Sequence, residues 1–315
     1  MQSRLVMMMM LLAASGNSTA GGQTSASGLP ISGWPAQIAF AGGGAAAWGD
    51  PTRTTEFPPL AWLGPHTGAF ASFGIPRPDV AVRSLRAGAI QRLGSRWSVT
   101  MSADWRGTSD VIDDPSVPSA GLAITDWGLR VGVGRQFSRV HTSVGATVQL
   151  LRAAVFGTRA AGERIAFSVA SQPSRSILVL LAITDVGRPL RYRSGDSSWL
   201  GNRNVPVTLL GLAVRTHDSR NWTQRLYADV EKQAGTSGRS RMSIAVDLVL
   251  WRAVTLRAGI SGLQDPAYGG GWKSLQAGGI AVRVAQFVFE YSVTSSLTVD
   301  DLAPRHHLGF GWASP

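Results

Sequence analysis

From residue 67 onward, apolar and polar positions alternate in segments of about 9–13 residues, with turn residues between them. In 140–152, Val140, Thr142, Val144, Ala146, Val148 and Leu150 share one face, and His141, Ser143, Gly145, Thr147 and Gln149 share the other. In 286–296, Phe287, Phe289, Tyr291 and Val293 oppose Glu290, Ser292 and Thr294. A period of two is the mark of a strand with one greasy and one polar side. About 14 such segments follow one another: 67–75, 80–92, 97–106, 126–137, 140–152, 162–172, 175–185, 205–216, 223–233, 239–250, 254–262, 272–284, 286–296 and 305–313.

The connections carry a second pattern. Those at 93–96, 138–139, 173–174 and 251–253 are short, and those at 107–125, 153–161, 186–204 and 263–271 are longer, with 76–79 the exception. Alternating short and long connections with an even strand count describe a transmembrane antiparallel β-barrel of about 14 strands, both termini on one rim. The alternative, a soluble periplasmic β-propeller or sandwich, predicts internal repeats, and the chain contains none. One strand departs from the alternation. In 176–184, Leu178, Leu180 and Ala182 lie opposite Ile177, Val179, Leu181 and Ile183, so both faces are apolar. A strand of that kind is covered on both sides. An inner wall at Leu178 and Leu180 therefore needs an apolar plug, and residues 36–62 are the candidate.

The N-terminus sharpens the organisation. Arg4, an apolar run from Leu5 to Ala14 and the small residues Ser18-Thr19-Ala20 form the pattern of a secretory signal peptide over 1–20. Residues 21–66 are rich in Gly, Ala, Ser and Pro and predict an irregular plug with one short helical turn; 67–315 form the barrel. No later run reaches the ~18 apolar residues of a spanning helix, so membrane insertion uses strands. Trp97, Trp105, Trp127, Trp251, Trp272 and Trp312 fall near strand ends, where an interfacial girdle sits. Phe310 and Trp312 share a face of the last strand, the look of a signal for the barrel-assembly machinery. The formal net charge of +11 comes from scattered Arg without a basic run, which reads as solvated rims and excludes nucleic acid as the partner.

On these segments the chain resembles the PorV/PorQ-like family of outer-membrane proteins, related in architecture to the FadL fatty-acid transporters. AFAGGGAAAWGDPTRTTEFPPLAWL is similar to that family's N-terminal Gly-Gly-Ala segment, with Phe57-Pro58-Pro59 in place of Asn-Pro-Ala. LRVGVGRQFSRVHTSVGATVQLLR, LLAITDVGRPLRY, VPVTLLGLAV, RLYADVEK and VTLRAGIS resemble its strands. The resemblance implies a 14-stranded barrel in the bacterial outer membrane, with an N-terminal segment in the lumen. It implies an accessory or shuttle role in protein secretion, with secreted proteins as partners beside outer-membrane lipid. The alternative is a FadL-like channel for hydrophobic solutes.

Catalytic and cofactor chemistry finds no footing. There is no cysteine, no His pair at zinc spacing, no nucleophile elbow and no phosphate loop. The acidic residues Asp110, Asp113, Asp114, Asp126 and Asp196 and the imidazole of His66 form no group, so a non-enzyme without cofactor or metal is expected. The candidate site is the lumen lining: Arg130, Asp229, Glu231, Asp247, Arg257 and Glu290, with Leu178 and Leu180 as its apolar wall. These charges form either an ion-pair network that ties strands together, the reading favoured because buried charge needs a partner, or a lining that selects solute. Counting back from the turn Trp251-Arg252-Ala253 sets Asp247 opposite Arg257 and predicts an ion pair there.

Overall fold

The computed structural model describes residues 40, 44–47, 50–75, 82–108, 124–155, 158–200, 205–235, 238–264, 272–296 and 305–314. The expected signal peptide and most of the stretch 21–49 lie outside these residues. The strands are β1 Thr67–Gly74, β2 Val82–Leu93, β3 Trp97–Thr108, β4 Ile124–Phe137, β5 Thr142–Val155, β6 Thr158–Ser174, β7 Ile177–Val186, β8 Arg191–Ser194, β9 Ser197–Leu200, β10 Val207–Asp218, β11 Trp222–Gln233, β12 Ser240–Leu250, β13 Val254–Gln264, β14 Trp272–Val284, β15 Phe287–Ser296 and β16 Arg305–Ser314.

Fourteen of them close into an antiparallel barrel. Each of β1 to β6 pairs with the next, β7 pairs with β10, β10 to β16 continue in order, and β16 returns to β1. Closure leaves the barrel no free edge, the condition for strands to stand in lipid. The hairpin β8–β9 is an appendage that joins only β6, through Arg159↔Arg193, Ala160↔Tyr192 and Ala161↔Arg191. The fourteen alternating segments of the sequence correspond to the fourteen barrel strands. Two connections differ from expectation. Residues 153–161 are mostly strand, because β5 and β6 continue their pairing to Val155↔Thr158. The stretch 186–204 contains the hairpin.

The pleat sorts the side chains as the alternation requires. Val131, Val133, Val144, Val148, Leu150, Phe167, Ile244, Ile260, Phe289 and Phe310 are exposed on the outer face, whereas Ser98, Thr100, Ser102, Ser143, Thr147, Ser168, Ser243, Ser261 and Ser292 are buried inside. This inversion of the usual order, greasy outside and hydroxylated inside, is stable only in lipid. Trp97 and Trp251 are exposed at the rim of short turns, and Trp105, Trp127 and Trp272 are exposed at the opposite rim. The guanidinium of Arg135 lies over the rings of Trp97 and Phe137 at 5.1 and 5.2 Å, holding a cation at the belt. From Trp97 to Trp105 is roughly 26 Å along the strand at ~3.3 Å per residue, or roughly 20 Å along the normal for a tilt of about 40°. That height is close to, though a few ångströms less than, the apolar band of about 25 Å in outer-membrane barrels.

Candidate functional site

The lumen holds the described residues 40, 44–47 and 50–63, which sit against its wall at three places. The first is a cradle for Pro58-Pro59. The 3₁₀ turn Pro58–Leu63 presses its prolines onto positions where β4 and β5 carry only glycine. A Cβ on Gly132 would lie 2.6 Å from Pro58 Cγ, one on Gly134 2.7 Å from the Pro58 carbonyl oxygen, and one on Gly145 2.6 Å from Pro59 Cδ. Ser143 donates to the Pro59 carbonyl at 2.8 Å and Ser98 to that of Pro58 at 3.4 Å. Proline offers no N–H, so only its carbonyl needs a partner, and wall hydroxyls supply it.

The second place is an ion cluster at the short helical turn Pro51–Thr54. Glu56 accepts from Arg53 and from Arg86 of β2, both at 2.9 Å, and Arg130 of β4 approaches it at 3.7 Å. Arg86 also reaches Asp104 on β3 at 2.7 Å, and Arg130 donates to Gln149 at 3.2 Å. Burial alone would raise the Glu56 pKa, but the guanidinium groups of Arg86, Arg53 and Arg130 outweigh it and hold the carboxyl well below the usual carboxylate range.

The third place seats Phe40 and Gly44–Ala47. Asp229 accepts from the backbone N–H of Gly44 and from that of Ala45 at 3.1 Å, and Ser243 donates to it at 3.3 Å. Gly44 takes φ +69°, and a Cβ there would collide with the Phe40 ring at 2.5 Å, so glycine is required twice over. The Phe40 ring lies 5.0 Å from that of Tyr227 and 5.8 Å from the Arg257 guanidinium. Gly259 lets its backbone approach: a Cβ would meet the Phe40 carbonyl carbon at 2.5 Å.

Between these anchors lies the apolar wall. Leu178 and Leu180 are fully buried, and they form one cluster with Ala182, Leu209, Ala213, Tyr227, Ala245, Phe40, Ala45, Ala46, Ala47, Phe57 and Leu60. The inner cover that the two-faced strand demanded is therefore supplied by Phe40, Ala45, Ala46, Ala47, Phe57 and Leu60. At the rim of short turns a cavity of about 570 Å³ is lined by Leu63, Gly64, Pro65, Arg283, Ala285, Gln286, Ala313 and Ser314.

All six charges expected in the lumen point inward, but their partners differ in one respect. Asp247 and Arg257 are cross-strand neighbours as counted, yet they are not each other's ion pair. Asp247 accepts from Tyr227 Oη at 2.9 Å and faces Arg225 at 3.5 Å. Arg257 reaches over Gly279 and Ala281 of β14 to Glu290 on β15 at 2.8 Å. The small residues of β14 open that longer route. Glu231 pairs with its direct neighbour Arg241 at 2.8 Å. Arg53, Glu56, Arg86 and Asp104 were not singled out from the sequence. For Arg86 and Asp104 a signal exists, since equal counts back from Leu93 and on from Trp97 reach them.

No protein-family model matches the chain, and no curated sequence does either. Solved structures share its fold at low identity. The CymD monoaromatic hydrocarbon channel is 9% identical over 89% of this chain and 97% of its own, with a TM-score of 0.65. The Pseudomonas putida toluene transporter TodX is 12% identical over 89% and 96%, with a TM-score of 0.60. A Pseudomonas aeruginosa FadL homologue is 11% identical over 89% and 98%, with a TM-score of 0.55. The fold is thus that of outer-membrane transporter barrels. A FadL-like architecture is borne out, and no match points to PorV/PorQ in particular.

Proposed function

We propose that this chain is a bacterial outer-membrane channel for small hydrophobic molecules, with the described residues 40, 44–47 and 50–63 as its internal barrier. The observation that carries the proposal is the buried wall of Leu178, Leu180, Ala182, Leu209 and Ala213 inside a lumen lined elsewhere mostly by hydroxyls, glycines and charges, a smaller cluster of Ala61, Phe70 and Ile90 apart. A water-filled pore has no use for such a wall, whereas a greasy solute needs an apolar surface to cross a polar lumen. The barrier covers this wall with Ala45–Ala47 together with Phe40, Phe57 and Leu60, and polar contacts tie it to the barrel, its backbone at Gly44 and Ala45 to Asp229 and its Glu56 to Arg86 and Arg130. Displacing it would bare the wall. The hydrocarbon channels that share the fold support the reading by analogy. The role in protein secretion, implied by the resemblance to PorV/PorQ-like proteins, comes second, because no feature of the lumen favours it.

Proteoliposomes test the proposal. A small aromatic hydrocarbon should enter them faster than empty vesicles, and a disaccharide should not. Gly134→Val, which drives a side chain into Pro58, should raise entry of both. No hydrocarbon flux from a folded barrel, together with co-purification of an exported protein, would favour the secretion role instead.

A further inference from the structure

Outside the lumen, four arginines gather on the outer surface at the rim of long loops. Trp105, Trp127, Arg152, Ala161, Arg191 and Leu200 form one continuous row of direct cross-strand partners over β3, β4, β5, β6, β8 and β9. They therefore share the outward face of the sheet. One step above, Ala154, Arg159 and Arg193 form the next row. At ~4.8 Å between strands and ~3.3 Å per residue, the Cα atoms of Arg152, Arg159, Arg191 and Arg193 span roughly 12 Å. All four are exposed.

Two features of this patch call for an anion. Arg159 and Arg193 stand directly opposite each other, an arrangement that destabilises a strand pair unless something negative lies between. Among the described residues, no carboxylate forms an ion pair with any of the four. Glu163, exposed one row below, and Asp196, at the hairpin tip, offset part of the charge but bridge none of it. The patch also has a fixed height. Arg152 lies over the Trp127 ring at 5.2 Å, at the upper aromatic belt. Leu150, Val148 and Phe167 lie below it on the lipid face. An apolar wall capped by cations matches a ligand with acyl chains below and phosphate above.

We propose that this patch binds the phosphorylated glycolipid of the outer leaflet, with Arg159 and Arg193 clamping one phosphate and Arg152 and Arg191 flanking it. The β8–β9 hairpin then acts as a lipid-binding arm that extends the barrel wall above the membrane.

The test uses the full-length barrel in detergent micelles with three probes: lipid A carrying two phosphates, the same lipid A without them, and inorganic phosphate. The bis-phosphorylated lipid should bind, and the dephosphorylated one should bind at least about tenfold more weakly. Arg159→Gln with Arg193→Gln should weaken binding of the phosphorylated lipid by about thirtyfold, the effect of two interfacial arginines. Arg175→Gln, at a turn on the opposite rim, should leave it unchanged. Folding is checked by heat-dependent gel mobility, and if the double variant fails to fold, Arg193→Gln alone, on the appended hairpin, carries the comparison. Equal binding of the two lipids, or native-like binding by the variants, overturns the proposal. Displacement of the lipid by an equal concentration of inorganic phosphate would make free phosphate the ligand and overturns it as well. Lipid binding is read separately from solute flux, so a barrel that passes no hydrocarbon does not affect this result.

Discussion

At the scale of single residues, the lumen is a set of carboxylates each fixed by named donors. Arg257 and Glu290 are the clearest pair, at 2.8 Å with both side chains largely covered. Removing one partner of such a pair costs on the order of 3 kcal/mol, because the other charge stays behind uncompensated. Exchanging the two, Arg257→Glu with Glu290→Arg, should retain heat-dependent gel mobility better than either single change. Exchanging Asp247 with Arg257 should not, because Asp247→Arg would face Arg225 with a second guanidinium and Arg257→Asp would strip Glu290 of its partner. Glu56 makes a second prediction. Its folded pKa is depressed, so its contribution is present above the ordinary carboxylate pKa of ~4.3 and is lost only as pH falls through the lower folded value. The barrier should therefore stay seated between pH 7 and about pH 5, with unchanged conductance in planar bilayers. Glu56→Gln removes the charge at every pH and should raise conductance at pH 7. A native channel that opens already near pH 5 would contradict this account.

At the scale of elements, the alternation in the sequence located the barrel strands other than β7, because a strand with lipid on one side and polar lumen on the other must carry period two, and β7 showed itself by a run apolar on both faces. What it missed was the hairpin β8–β9. Its residues, RYRSGDSSWL, lie at and beyond the upper tryptophan belt, where no apolar face is demanded and the signal vanishes. The hairpin is also separable. β7 ends at Val186 and β10 begins at Val207, with Thr184 already paired to Val207. Removing 189–204 and joining the ends with a short Asn-Gly turn should leave a folded, heat-modifiable barrel. Loss of the barrel would show that β8 holds β6 in place. The bulge where β6 meets β7, at Asp185 with φ +58°, marks where the two strands part. Arg164 secures it to Asp185 at 2.7 Å.

At the scale of the whole molecule, the barrel is a tube turned inside out with a second, smaller core within it. The outer surface is apolar between two tryptophan belts. The inner wall is mostly polar but carries two apolar patches, a larger one at Leu178, Leu180, Leu209 and Ala213 and a smaller one at Phe70 and Ile90, and at both the N-terminal segment completes a hydrophobic cluster. This arrangement explains why the chain tolerates charges in strands that look too greasy for them. The six charges expected in the lumen do face it, and each meets either a neighbouring strand or the inner segment.

The sequence alone determined the strand count, the sorting of faces and the register of Asp247 against Arg257, because these follow from local period and from counting across short turns. It also required that something apolar cover Leu178 and Leu180. Only the tertiary structure decided the partners. A side chain on a strand has neighbours on both sides and, inside a barrel, others from the segment in the lumen; counting around one turn names just one of them. Arg257 therefore turned from Asp247 to Glu290 across two small residues, and Glu56 found Arg86 and Arg130 on strands far along the chain.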